Sequence, residues 1–77
     1  MESIEKLISR LETEFEELPE GRLKPDSNFS EYMAWNSMNS LLIIAFIRME
    51  YDLEVKGSEL QSVETPNDLY KLLQSKS

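Results

Sequence analysis

The sequence predicts an all-α protein: three main helices, a short helical turn before the last of them, and one long loop between the first two. Three observations lead there. Apolar residues recur at three- and four-residue steps within segments that are separated by proline and glycine. No segment shows the strict alternation of a half-buried strand. Residues favoured as helix caps stand at the head of the periodic segments: Ser3, the pair Asn36 and Ser37, and Thr65.

Residues 3–18 form the first helix in this reading. Ile4, Leu7, Ile8, Leu11, Phe15 and Leu18 fall on one stripe, with most of the glutamates off it. Ser3 is its N-cap, Arg10 and Glu14 are spaced for an i,i+4 pair, and Pro19 and Gly21 stop it. Residues 19–36, PEGRLKPDSNFSEYMAWN, are too rich in turn formers for regular structure beyond a short helical turn at 30–34. A structureless loop of this length is unusual in a compact domain, so Leu23, Phe29, Met33 and Trp35 are read as anchors that pin it down. The second helix covers 37–51, capped by Asn36 or Ser37, and leaves through Asp52 and Gly57. A short turn follows at 58–61. The last helix opens TPND: Thr65 caps, Pro66 fits the first turn, and Asp68 complements the helix dipole. Leu69, Leu72 and Leu73 give its buried stripe, and the terminal SKS is expected to fray. Residues 1–77 are read as a single domain.

Composition narrows the function. Fifteen acidic residues against eight basic ones give a net charge of −7, which disfavours nucleic acid and anionic lipid and favours basic partners. The chain has no cysteine, hence no disulfide framework and no thiolate metal site. It has no histidine either, which excludes a serine–histidine or cysteine–histidine nucleophile. Acid pairs such as Glu12 with Glu16 lie on a solvated helix face, where charge serves solubility rather than two-carboxylate catalysis. Asp26, Glu50, Asp52 and Glu54 lack the spacing of a calcium loop. The longest apolar run, 41–47, is too short to span a bilayer, and the N-terminus lacks the apolar core of a signal peptide. A cytoplasmic, soluble, monomeric non-enzyme without a metal is the expectation.

Ser37 reads in two ways. As a residue at a helix start it is a cap. As an exposed hydroxyl beside unpaired backbone N–H groups and the positive end of a helix dipole, it is also well placed to carry a phosphate diester. The residues alone leave both readings open.

Residues 36–38, Asn-Ser-Met, resemble the Asp-Ser-Leu or Asp-Ser-Met hallmark of acyl carrier proteins. The flanks resemble that family as well. LKPDSNF matches its loop segment leading to a buried phenylalanine, here Phe29. LLIIAFIRMEYDLEV matches its apolar second helix, ending at Glu50, Tyr51, Asp52, Leu53, Glu54 and Val55. VETPNDLYKLL matches the start of its last helix, with Val63 and Thr65 in place. The resemblance runs from about residue 4 to 73. It implies a small four-helix bundle of acyl-carrier type with a short third helix. It further implies 4′-phosphopantetheine on Ser37, installed from coenzyme A by a phosphopantetheinyl transferase, with Asn36 and Met38 flanking the attachment point. Implied partners are that transferase, an acyl- or aminoacyl-loading ligase, and a downstream acyltransferase or synthase.

Two departures individualise the chain. Asn36 replaces the family's aspartate, keeping its shape and capping ability but losing one charge. The second helix lacks the family's acidic outer face: matching positions read Asn39, Leu42, Arg48 and Met49, with Glu50 alone keeping a negative charge. By comparison with the family, Met38, Ile43, Phe46, Ile47 and Glu50 with Tyr51 point inward. Leu41, Leu42, Ala45 and Met49 then form an outward apolar patch, which either is covered by Trp35 or Met33 or docks a dedicated partner, with Arg48 selecting against basic docking surfaces. Trp35 directly before the motif resembles stand-alone carriers of specialised pathways. The alternative function is a carrier-fold docking module without the prosthetic arm; an unrelated acidic helical adaptor is the rival outside the family.

Overall fold

The computed structural model describes residues 2–18, 21–34 and 36–77. Four helices follow in order: α1 (Ile4–Glu14), α2 (Ser37–Tyr51), α3 (Gly57–Leu60) and α4 (Pro66–Lys76), with a 3₁₀ turn at Phe29–Glu31 in the long loop. No strand occurs among the described residues. The architecture is the all-α bundle that the sequence predicts, and it is consistent with the small acyl-carrier-type bundle that the resemblance implies.

Ser3 caps α1 through both its side chain and its carbonyl, which accept from the Lys6 N–H at 3.4 and 3.1 Å. The helix ends at Glu14, four residues short of the expected 18, because Phe15 turns extended (φ −114°, ψ 112°). That turn drops the Phe15 ring into the core, edge-to-face on Phe46 with centroids 5.8 Å apart. Leu18 is still buried, but it arrives through a tight turn in which its N–H donates to the Phe15 carbonyl at 3.1 Å. A three-residue apolar step fits such a turn as well as a helix, so the periodicity outran the helix.

The Arg10–Glu14 pair does not form. Arg10 donates instead to both Glu2 oxygens, at 2.9 and 3.2 Å, and to Glu50 at 3.3 Å. Glu2 wins because it is half-buried and offers both oxygens, where an exposed i,i+4 pair gains little. The Tyr51 hydroxyl donates to the same carboxylate at 2.7 Å, and the Tyr70 hydroxyl donates to the Glu2 carbonyl at 2.6 Å. Burial pulls the Glu2 carboxyl upward, but the bonds from Arg10 and Tyr51 outweigh it and hold the group below its ordinary value. The Tyr51 hydroxyl is pushed up, by burial first and then by its Glu2 acceptor.

Leu23, Phe29 and Met33 are buried, as anchors should be; Trp35 lies outside the described residues. The helical turn falls at 29–31 rather than 30–34, where Asn28 accepts from the Ser30 N–H at 2.9 Å and starts it early. Two bonds stitch the loop to the head of α4: the Phe29 N–H donates to the Glu64 carbonyl at 2.8 Å, and the Asn67 N–H to the Pro25 carbonyl at 2.9 Å. Glu12 ties the loop's start by accepting from the Gly21 and Leu23 N–H groups. Gly21 sits at φ 77°, where a side chain would be strained.

Thr65 and Asp68 close a reciprocal capping box at the head of α4, with Pro66 in the first turn. The Glu64 N–H bond to Asp68, with the Thr65 bonds added, holds that carboxyl below its ordinary value. The SKS tail does not fray: the helix continues through Lys76, whose ammonium pairs with Glu59 of α3 at 2.9 Å. Leu7, Leu11, Ile43, Ile47, Leu60, Leu69 and Leu73 are essentially fully buried and join all four helices in one core. The chain leaves α2 through Asp52, which takes the left-handed conformation (φ 54°, ψ 39°) and donates its N–H to the Arg48 carbonyl at 3.0 Å.

Candidate functional site

The head of α2 settles which residue is the cap. Asn36 is extended, its side chain accepts from the Asn39 N–H at 2.9 Å, and its carbonyl accepts from the Ser40 N–H at 2.9 Å. The Asn39 amide then donates back to the Ala34 carbonyl. Asparagine therefore does here what an aspartate would do for the backbone. Ser37, freed from capping, is the first residue of the helix and is exposed. Among the described residues, neither its hydroxyl nor its N–H nor that of Met38 has a hydrogen-bond partner. An exposed hydroxyl beside two unpaired N–H groups at the positive end of a 15-residue helix suits a phosphodiester both sterically and electrostatically.

Met38 corrects an expectation. It is 69% exposed rather than inward. At about 100° per residue it lies within about 40° of Leu42 and about 20° of Met49, so it belongs to their face. Glu50 is likewise exposed and turns along the surface to Arg10 instead of into the core. Ile43, Phe46 and Ile47 make up the buried stripe. On the opposite side Leu41 (66%), Leu42 (49%) and Met49 (81%) are uncovered, and Ala45 and Arg48 are exposed with them. Met33 does not cover this patch, because it is itself 95% buried in the core (5% exposed). Arg48 makes a loose surface pair with Glu54 at 3.8 Å.

A groove of about 420 Å³ begins at Ser37. Asn36, Ser40, Leu41 and Ile44 line it from α2, and Gly57 and Gln61 face them from α3 and its end. Through Leu41 and Ile44 it adjoins a second groove of about 380 Å³, bounded by Ala45, Arg48, Leu53, Val55 and Lys56. Sequence reasoning did not single out Ser40, Ile44, Gly57 or Gln61. The first two lie three and seven residues from Ser37, a helical spacing that could have found them; the other two are brought across only by the tertiary fold.

The family model for the phosphopantetheine attachment site matches residues 5–73. The chain belongs to that family. No curated protein and no solved structure gave a match. The protein is thus a non-catalytic carrier bearing covalent 4′-phosphopantetheine, a class modified by phosphopantetheinyl transferases and served by synthase partners. No helix among the described residues is long and apolar enough to cross a membrane.

Proposed function

We propose that Ser37 is the attachment residue and that the carrier presents acyl or aminoacyl cargo to the enzymes of a specialised biosynthetic pathway. The observation that carries this is the free, exposed Ser37 hydroxyl at the head of α2, opening onto the α2–α3 groove. Ser37 Oγ would hold the phosphate, with the Ser37 and Met38 N–H groups beside it. The bound arm supplies a thiol to which cargo is joined as a thioester. Asn36 fixes the first turn, so the hydroxyl stands at a constant angle to the helix. Ser40 and Gln61 offer polar edges to an arm lying back on the protein, and Leu41 and Ile44 offer apolar ones. Tethering raises the local concentration of cargo at a docked enzyme.

The specialised assignment rests on α2. Its outward face of Leu41, Leu42, Ala45 and Met49 suits a dedicated loading ligase, acyltransferase or synthase that binds by apolar contact, while Arg48 disfavours the basic surfaces that acidic carriers meet. Leu42→Glu and Met49→Glu should each slow transfer to the cognate partner and leave folding intact; unchanged transfer removes this part of the proposal.

Incubation with coenzyme A, magnesium and a broad-specificity transferase, followed by intact-mass spectrometry, tests the attachment. The parent should gain one phosphopantetheine and Ser37→Ala none. A folded parent that gains nothing, cognate transferases included, selects the second reading, a docking module without the arm. Asn36 and the apolar α2 face favour that reading.

A further inference from the structure

The outward face of α2 borders a third groove, on the side away from Ser37's. Leu42, Ala45, Phe46 and Met49 follow one another at helical steps along it, and residues 14–17 form its other wall. It has a volume of about 340 Å³. The rings of Phe15 and Phe46, themselves buried, make its floor, so the floor is rigid and apolar. Glu14, Glu16 and Glu17 stand exposed along the wall, and none of them is ion-paired among the described residues. The acidic charge missing from α2 is therefore present after all, moved across the groove to the segment where α1 ends early at Phe15.

We infer that this groove docks a basic amphipathic helix of a partner protein, which seats an aliphatic side chain over Phe15 and Phe46 and sets lysine or arginine against Glu14, Glu16 and Glu17. The inference rests on reading the outward α2 face as a docking surface, and it specifies what that surface recognises: Arg48 lines the edge toward residues 53–56, so it turns cations away from that edge and leaves them the Glu14–Glu17 side. Two observations choose the occupant. The Met38, Leu42, Ala45, Met49 stripe is about three turns long, the length over which a helix in a groove is read through i, i+3, i+4 and i+7 anchors. Its flank is acidic, so the complementary partner is basic. A second copy of this chain complements it poorly: the copy carries a net charge of −7, and its own α2 holds a single cation, Arg48. In this arrangement α2 separates a groove for cargo from a groove for the partner, and both can be filled together.

The test uses the full chain, ¹⁵N-labelled, and two synthetic helical peptides with the same leucine face. One carries lysines along one edge and the other glutamates. The lysine peptide should shift the amide resonances of residues 14–17, 42, 45 and 49. Its affinity should fall roughly tenfold in the E14Q/E16Q/E17Q variant, and fall again at high salt. The glutamate peptide should bind at least about tenfold more weakly than the lysine peptide. Equal binding of the two peptides, binding by neither, shifts confined to the Ser37 groove, or an unaffected triple variant overturns the inference. So does a concentration-dependent dimer that shifts the same resonances without peptide. Intact mass after treatment with coenzyme A and transferase, read on the same preparation, reports on Ser37 separately. Modification with no peptide discrimination rejects the groove alone; peptide discrimination without modification rejects the arm alone.

Discussion

At its C-terminal end α2 is held by groups from distant parts of the chain, whereas at its N-terminal end it is held by its own neighbours. Tyr51 bonds to Glu2, 49 residues away, and Glu50 to Arg10, 40 residues away. Tyr70 adds α4 by bonding to the same Glu2. At the other end the bonds among the described residues, from Asn39 to Asn36 and Ala34 and from Ser40 to Asn36, span five residues at most. The difference separates two duties. Long-range bonds fix the direction of the helix within the bundle. A local cap orders the first turn while leaving the Ser37 hydroxyl exposed. An end clamped like Tyr51 could not present such a group.

The largest expected effect lies in the clamped half. Phe46 is 3% exposed and makes edge-to-face contacts with Phe15 at 5.8 Å and Tyr51 at 6.1 Å. Phe46→Ala should cost about 3–5 kcal/mol in urea unfolding followed by circular dichroism. That is a large share of the ~4–12 kcal/mol typical of a domain this size. Glu2→Ala, which leaves Tyr51 and Arg10 without their acceptor, should cost about 1–2 kcal/mol at pH 7. Its pH dependence sharpens the comparison. The folded carboxyl is held below the ordinary glutamate value of 4.5, so its contribution is complete above that value and is lost as pH falls through the folded one. The gap between parent and variant should therefore close in acid; a gap that is constant with pH would remove the clamp's charge from the account.

At the free end effects should be smaller and more local. Asn36→Ala should cost about 1 kcal/mol, with faster amide exchange confined to the first turn of α2. Ser37→Ala should change stability by less than about 0.5 kcal/mol while abolishing modification. Should Ser37→Ala destabilise the fold as much as Glu2→Ala, the two ends would not differ as described.

The sequence made some of this legible and hid the rest for physical reasons. The bounds of α2 were readable because a cap at 36 and a polar exit at 52 enclose a continuous apolar run. The capping box at Thr65 and Asp68 was readable because it lies within four residues. The end of α1 was not, since an apolar step of three is common to a helix and a tight turn. Arg10's partners were hidden because they depend on which segments the fold brings together, and Lys76 with Glu59 for the same reason. Met38 was misplaced by family comparison where helical phase alone would have put it outside. Ser37 is singled out by its motif, but the far wall of the groove beside it, Gly57 and Gln61, carries no local signal.

Asp52 is the described residue other than glycine with a positive φ, 54°, and there the backbone leaves α2 and heads for α3. That one torsion sets the angle at which residues 53–56 return along the helix, and hence how far Leu53 and Val55 stand from Ile44 across the second groove. Variation at position 52 is therefore filtered by backbone sterics before cargo or partner exerts any selection. Glycine and asparagine can enter there at little cost, while valine or isoleucine would swing α3 and reshape the groove from outside it.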